Sequence, residues 1–217
     1  MTREDYITLP ATAPALAGTI LKPTTRGEHI AYWISQLGSP PVMGLLALVL
    51  TAVTLCLPRI WLWSLMYVAL AMGIPLLYIF WRVRKGKITD MDIQLREQRT
   101  GPFLVTILAV TLAAAILRVG HAPDPLVLMA YASLVQLCAI FLITLRWKIS
   151  VHTSTAAGIS VLMLRVVGAA AVPLAITVPL IAWSRVKLGR HTLGQTIAGT
   201  ALGIGVFLTA VLISTLI

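Results

Sequence analysis

Seven apolar runs, at about 41–58, 60–81, 102–119, 125–146, 153–169, 171–186 and 193–217, leave little of this chain in which a charged side chain can meet water. A helix needs about 20 mostly apolar residues to cross the hydrocarbon core of a bilayer, and most of these runs approach that length. Backbone polar groups inside lipid must be satisfied within the segment, so the runs are expected to be α-helices rather than open strands. Only 11% of residues are charged, where a soluble domain carries about a quarter. The expected fold class is therefore all-α: a polytopic membrane helical bundle of seven transmembrane helices, or six if the short fifth and sixth runs form one. Residues 1–39 form an N-terminal cytoplasmic or interfacial segment, with 28–37 a candidate interfacial helix. Residues 40–217 form the membrane-embedded domain. The charged, proline-containing N-terminus is the reverse of a signal-peptide layout.

Loop charge sets the orientation. With seven spans, one side of the membrane collects Arg3, Lys22, Arg26, Arg82, Arg84, Lys85, Lys87, Arg96, Arg99, Arg146, Lys148, Arg185, Lys187 and Arg190, and the other only Arg59 and Arg118. Basic residues accumulate on the cytoplasmic side. Setting aside Arg96, Arg99, Lys148 and Arg185 as phosphate ligands leaves ten against two, so the crowded face is expected to be cytoplasmic. The net charge of +10 comes in clusters without interleaved aromatics, which argues against nucleic acid and for lipid headgroups or phosphate. Cys56 and Cys138 lie in apolar runs and read as inert. Arg165 falls inside the fifth run, with no obvious partner.

On the basic face lie two histidines at helix ends, each beside serine and cations: Lys148-Ile-Ser150-Val-His152-Thr-Ser, and Ser184-Arg185-Val-Lys187-Leu-Gly-Arg190-His191-Thr-Leu-Gly-Gln195-Thr-Ile-Ala-Gly199. Imidazole serves as nucleophile or proton donor near neutral pH. Guanidinium presents a planar fork to phosphate oxygens. Between the second and third runs stands Lys87-Ile-Thr-Asp90-Met-Asp92-Ile-Gln-Leu-Arg96-Glu-Gln-Arg99-Thr-Gly-Pro102, rich in phosphate-binding residue types. Asp90 and Asp92 have no second acidic cluster to complete a metal-diphosphate site, so no metal is expected. His29 and His121 stand outside these segments and read as solvated or interfacial.

The second histidine segment resembles the third signature of the type-2 phosphatidic-acid phosphatase superfamily, which includes the lipid phosphate phosphatases: Ser-Arg, five residues, His, three residues, Asp. Ser184, Arg185 and His191 match, Ala198-Gly199 fits the small residues that follow, and Gln195 stands in place of the aspartate. The first segment resembles the second signature, Pro-Ser-Gly-His, through Ser150 and His152, with Val151 replacing glycine. The loop at 87–102 stands where the family has Lys, six residues, Arg-Pro. The resemblance covers about the last two-thirds of the chain.

The resemblance implies a cofactor-free hydrolase that removes phosphate from a lipid phosphate through a phosphohistidine. Carried over, His191 is the nucleophile and His152 the general acid. Ser184, Arg185 and Ser150 clamp the phosphate, with Lys87, Arg96, Arg99 and Lys148 assisting. Asp90 or Asp92 is expected to supply the carboxylate missing at Gln195. The expected partners are membrane lipids and a substrate such as a polyprenyl phosphate, a phosphatidate-like lipid or a lipid-linked sugar phosphate. The expected location is a prokaryotic inner or cell membrane. A catalytically inactive relative that binds lipid or assembles with partners is the alternative.

Overall fold

The computed structural model describes residues 25–91, 93 and 95–216, without the side chain of Arg96. Arg3, Lys22 and Asp92 therefore lie outside the described residues. The chain is helical, with no strand among the described residues. Among the described residues there are nine α-helices: α1 (Arg26–Leu37), α2 (Pro40–Leu55), α3 (Ile60–Tyr67), α4 (Ile74–Arg84), α5 (Thr100–Val119), α6 (Asp124–Thr144), α7 (Val151–Val167), α8 (Val172–Lys187) and α9 (Leu193–Ser214). A π-helical turn, Val68–Gly73, joins α3 to α4. Large apolar side chains point outward all round the bundle, among them Leu77 (69% exposed) and Leu108 (70% exposed). Such a surface is tolerable where lipid is the solvent.

Among the described residues, five helical stretches are long and apolar enough to cross a membrane, and a sixth is formed if α1 and α2, bent by 51°, count as one span. The longest, Val151–Lys187, has 37 residues and would be about 55 Å long if straight. It is not straight. His152 near its start and Arg185 near its end line one cavity, so the chain folds back between them. The reversal falls at Gly168, at φ 62°, a backbone conformation glycine adopts without penalty. The two arms have 17 and 16 residues, or about 25 Å each, slightly short of a roughly 30 Å hydrocarbon core. The described residues thus make seven passes between the two ends of the bundle: α2, α3 with α4, α5, α6, α7, α8 and α9. Arg165, read from sequence as lying inside a span, sits exposed in the last turn of α7. There a cation complements the helix carbonyls and can reach the membrane surface.

The tightest helix pair is α7 with α9. A methyl group added at Gly199 would overlap the Ser150 carbonyl and the Thr153 hydroxyl, and one at Gly203 would overlap the Ser154 carbonyl. Phe207 takes the space that a side chain at Gly158 would need. Small residues at this seam let the two backbones touch, as is common where lipid supplies no hydrophobic drive between helices. Ser150 N–H donates to the Gln195 carbonyl at 3.3 Å, and the Thr153 hydroxyl donates to the Thr196 carbonyl at 3.0 Å. These contacts fix the start of α7 against the start of α9.

Helix α1 is not a detached surface segment. Its N-terminus is closed by a capping box between Thr25 and Glu28. Its small buried face packs on α8, where Gly38 meets Ile181 directly. Ile30, Trp33 and Leu37 on its other side are exposed. Cys56 caps the C-terminus of α2 in an exposed position, rather than packing inside a span.

Candidate active site

The starts of α5, α7 and α9 and the end of α8 converge at one end of the bundle. Between them opens a cavity of about 420 Å³, whose walls include His152, His191, Arg99 and Arg185. The two sequence segments singled out for their histidines therefore meet, 39 positions apart in the chain.

His191 follows the end of α8 and precedes the Thr192 N-cap of α9. It is 7% exposed, and its Nδ1 lies 3.1 Å from Oε1 of Gln195. Gln195 is the third residue of α9 and closes a capping box: its Oε1 also accepts from Thr192 N–H at 3.2 Å, while Thr192 Oγ1 accepts from Gln195 N–H at 3.3 Å. Because a backbone N–H points at Oε1, the amide's orientation is set. Nδ1 of His191 must then be the protonated nitrogen, which leaves the Nε2 lone pair free. Burial, then Arg185, Lys148 and Arg99, push the His191 pKa down to about 3, against a smaller opposing contribution from Gln195. The imidazole is neutral at physiological pH, the form a nucleophile requires.

Arg185 is 3% exposed and donates from Nη1 to Ser35 Oγ of α1 at 2.7 Å. Arg99, 7% exposed, donates from Nε to the Ile93 carbonyl at 2.9 Å. Ile93 holds φ 47°, an unusual conformation for a β-branched residue, in the loop that covers this end of the cavity. Lys148 completes the cationic group. Its pKa is lowered, first by burial and then by Arg99, Arg185 and Arg190, so four cations crowd together here. Such crowding is unfavourable until an anion arrives, and a phosphoryl group would relieve it.

Several sequence expectations need correction. Ser184 is fully buried, and its hydroxyl donates to the Ile181 carbonyl within α8 at 2.8 Å, so it does not clamp phosphate. Ser150 is the N-cap of α7, accepting from Thr153 N–H at 3.4 Å, and is fully buried away from the cavity. Lys87 is exposed and does not line the cavity; it is an ordinary basic residue of the loop. Asp90 does not replace the missing carboxylate. Its Oδ2 accepts from the neighbouring Thr89 hydroxyl at 3.1 Å, and the His191 ring is already held by Gln195. Asp92 and the Arg96 side chain lie outside the described residues.

Sequence reasoning missed Ser35, whose role depends on a partner 150 positions away. It also missed Gln136, Tyr67, Ser133 and Thr155, which line the deeper cavity. Gln136 did leave a signal, as an amide alone in an apolar span. Among the described residues no group of three or more His, Cys, Asp or Glu side chains is placed to hold a metal ion. No protein-family model, curated protein or solved structure matches the chain.

Proposed function

We propose that this chain is a membrane-embedded phosphatase acting on lipid phosphates through a phosphohistidine. The observation that carries the reading is that His152 and His191 line one cavity together with Arg99 and Arg185. In this reading His191 Nε2 donates its lone pair to phosphorus as the P–O bond to the lipid breaks. His152, protonated once the phosphate dianion sits beside it, gives that proton to the departing alkoxide. Water, giving its proton back to His152, then attacks the phosphohistidine and releases inorganic phosphate. Arg185, Arg99 and Lys148 hold the phosphoryl oxygens, and phosphoryl transfer depends mainly on such positioning and charge stabilisation. Gln195 takes over the orienting half of a carboxylate's role: it fixes the tautomer and supplies no charge.

An amphipathic substrate is supported by the rest of the cavity wall. Beyond the cations it is built from Met72, Pro75, Leu76, Ile79, Phe103 and Ile140, and Leu76 is 41% exposed at the outer surface. A chain could reach the site sideways from the bilayer past α4. The bias of basic residues toward this end of the bundle supports a cytoplasm-facing site.

Phosphate release by the purified protein tests the reading on a panel of lipid phosphates, with His191→Ala and His152→Ala beside the wild type. The expected result is turnover by wild type, roughly 10⁴-fold or greater loss for His191→Ala, and a smaller loss for His152→Ala with substrates whose leaving group needs no proton. Lipid binding without release from any substrate would favour an inactive, lipid-binding relative.

A further inference from the structure

Below the histidines the cavity does not become a plain hydrocarbon slot. Helix α7 presents Val151, His152, Thr155 and Ile159 to it, one face of the helix. Gln136 of α6 also lines it, 4% exposed, and its amide donates to Ser154 Oγ, the neighbour of Thr155, at 2.7 Å. Tyr67 and Ser133, the latter one turn along α6 from Gln136, also line the cavity. Among the described residues, neither the carbonyl oxygen of Gln136 nor the hydroxyl of Thr155 makes a side-chain hydrogen bond. At about 1.5 Å of rise per residue, Thr155 lies about 4.5 Å below His152, and Ser133 about 4.5 Å below Gln136. The polar groups thus form a belt about 3–8 Å below the phosphate end.

A half-buried hydroxyl and an amide oxygen that line a cavity lose hydration when an occupant fills it, and an occupant that pairs with them offsets that loss. Extended chains advance about 1.2 Å per bond, so the belt meets atoms roughly two to six bonds beyond the ester oxygen. We infer that Gln136 and Thr155, backed by Tyr67 and Ser133, form a selectivity subsite for lipid phosphates with a hydroxyl, ester or amide at that distance, over lipids that are hydrocarbon from the first carbon. This rests on the lipid-phosphatase reading and deepens it: glycerol- or sphingoid-type phosphates fit the belt, and prenyl or simple alkyl phosphates leave it unpaired. Sites built to hydrogen-bond a substrate group discriminate strongly against analogues that lack it.

The test compares binding of two non-hydrolysable phosphonates of equal chain length to the full-length protein: an acyl-glycerol phosphonate and an alkyl phosphonate. Wild type is expected to bind the glycerol compound at least tenfold more tightly. Gln136→Leu should bring that ratio down at least fivefold. Because Gln136→Leu also strips Ser154 of its partner and can disturb folding, the near-isosteric Thr155→Val serves as second variant, with thermal unfolding as a control. A wild-type ratio near one, or a ratio unmoved in both variants, overturns the subsite, as does failure to bind either compound. Phosphate release from the matching esters is measured separately. Selective binding without release keeps the subsite and sinks the catalytic reading, whereas release with a binding ratio near one does the reverse.

Discussion

The two walls of the cavity are built on opposite principles. On one, α7 and α9 touch backbone to backbone at Gly199 and Gly203, and two hydrogen bonds tie the helix starts together. On the other, α2 and α4 make no extensive contact with each other, and the chain leading to α4 passes through a π-turn at Val68–Gly73 followed by Pro75. The stiff wall carries the histidines, where a shift of an ångström costs reactivity. The loose wall carries Met72, Leu76 and Ile79, where a bulky chain needs room. Under the proposed function, chemistry and chain accommodation fall to different helices, and substitutions on the two walls should fail in different ways.

The largest expected effect lies on the stiff wall. Gln195→Leu removes the acceptor that fixes the His191 tautomer, and kcat should fall by roughly 10²–10³-fold, with KM nearly unchanged. Gln195→Glu keeps the reach and adds charge, so the His191 titration should move up from about 3, which NMR of labelled histidine would detect. An unmoved titration would break the assignment.

Next is the seam. Gly203→Ala would press a methyl group against the Ser154 carbonyl, a destabilisation of about 1–3 kcal/mol. Gly205→Ala, with open space around it, should be stabilising by about 0.5–1 kcal/mol. Thermal unfolding of the two variants side by side would show whether the seam is as tight as described. On the loose wall, Met72→Ala widens the cavity without touching the histidines. Steady-state kinetics should show a few-fold change in KM and in chain-length preference, with kcat held.

The last expected effect is on pH. The folded-state pKa of His191, about 3, lies below its ordinary value of 6.5, so the unfolded chain binds the extra proton more readily. The stabilisation is present above pH 6.5 and is lost as pH falls toward 3. Melting temperatures should therefore drop more between pH 7 and pH 4 for wild type than for His191→Gln.

Much of this was legible in the sequence. Apolar runs mark helices because lipid leaves the backbone no other partner, and the shared face of His152 and His191 follows from counting passes. The serines were misread for a physical reason. Ser150 and Ser184 are of phosphate-binding type, but at helix ends the same hydroxyl serves equally well as an N-cap or as a bond to its own backbone, and spacing cannot tell these apart. Ser35 left no signal, because its partner Arg185 comes 150 positions later. The pairing of Gln195 with His191 could be anticipated only in part. The sequence shows an amide where the signature it resembles has a carboxylate, and only the capping box reveals that the amide's oxygen points at His191.

The central claim is that His191 bonds covalently to phosphorus. Wild type and His191→Ala should be mixed with a ³²P-labelled lipid phosphate and quenched in alkali, and the label remaining on protein counted. The account predicts alkali-stable label on wild type and none on the alanine variant. Label retained by His191→Ala, or phosphate released by wild type through no labelled protein, would contradict it.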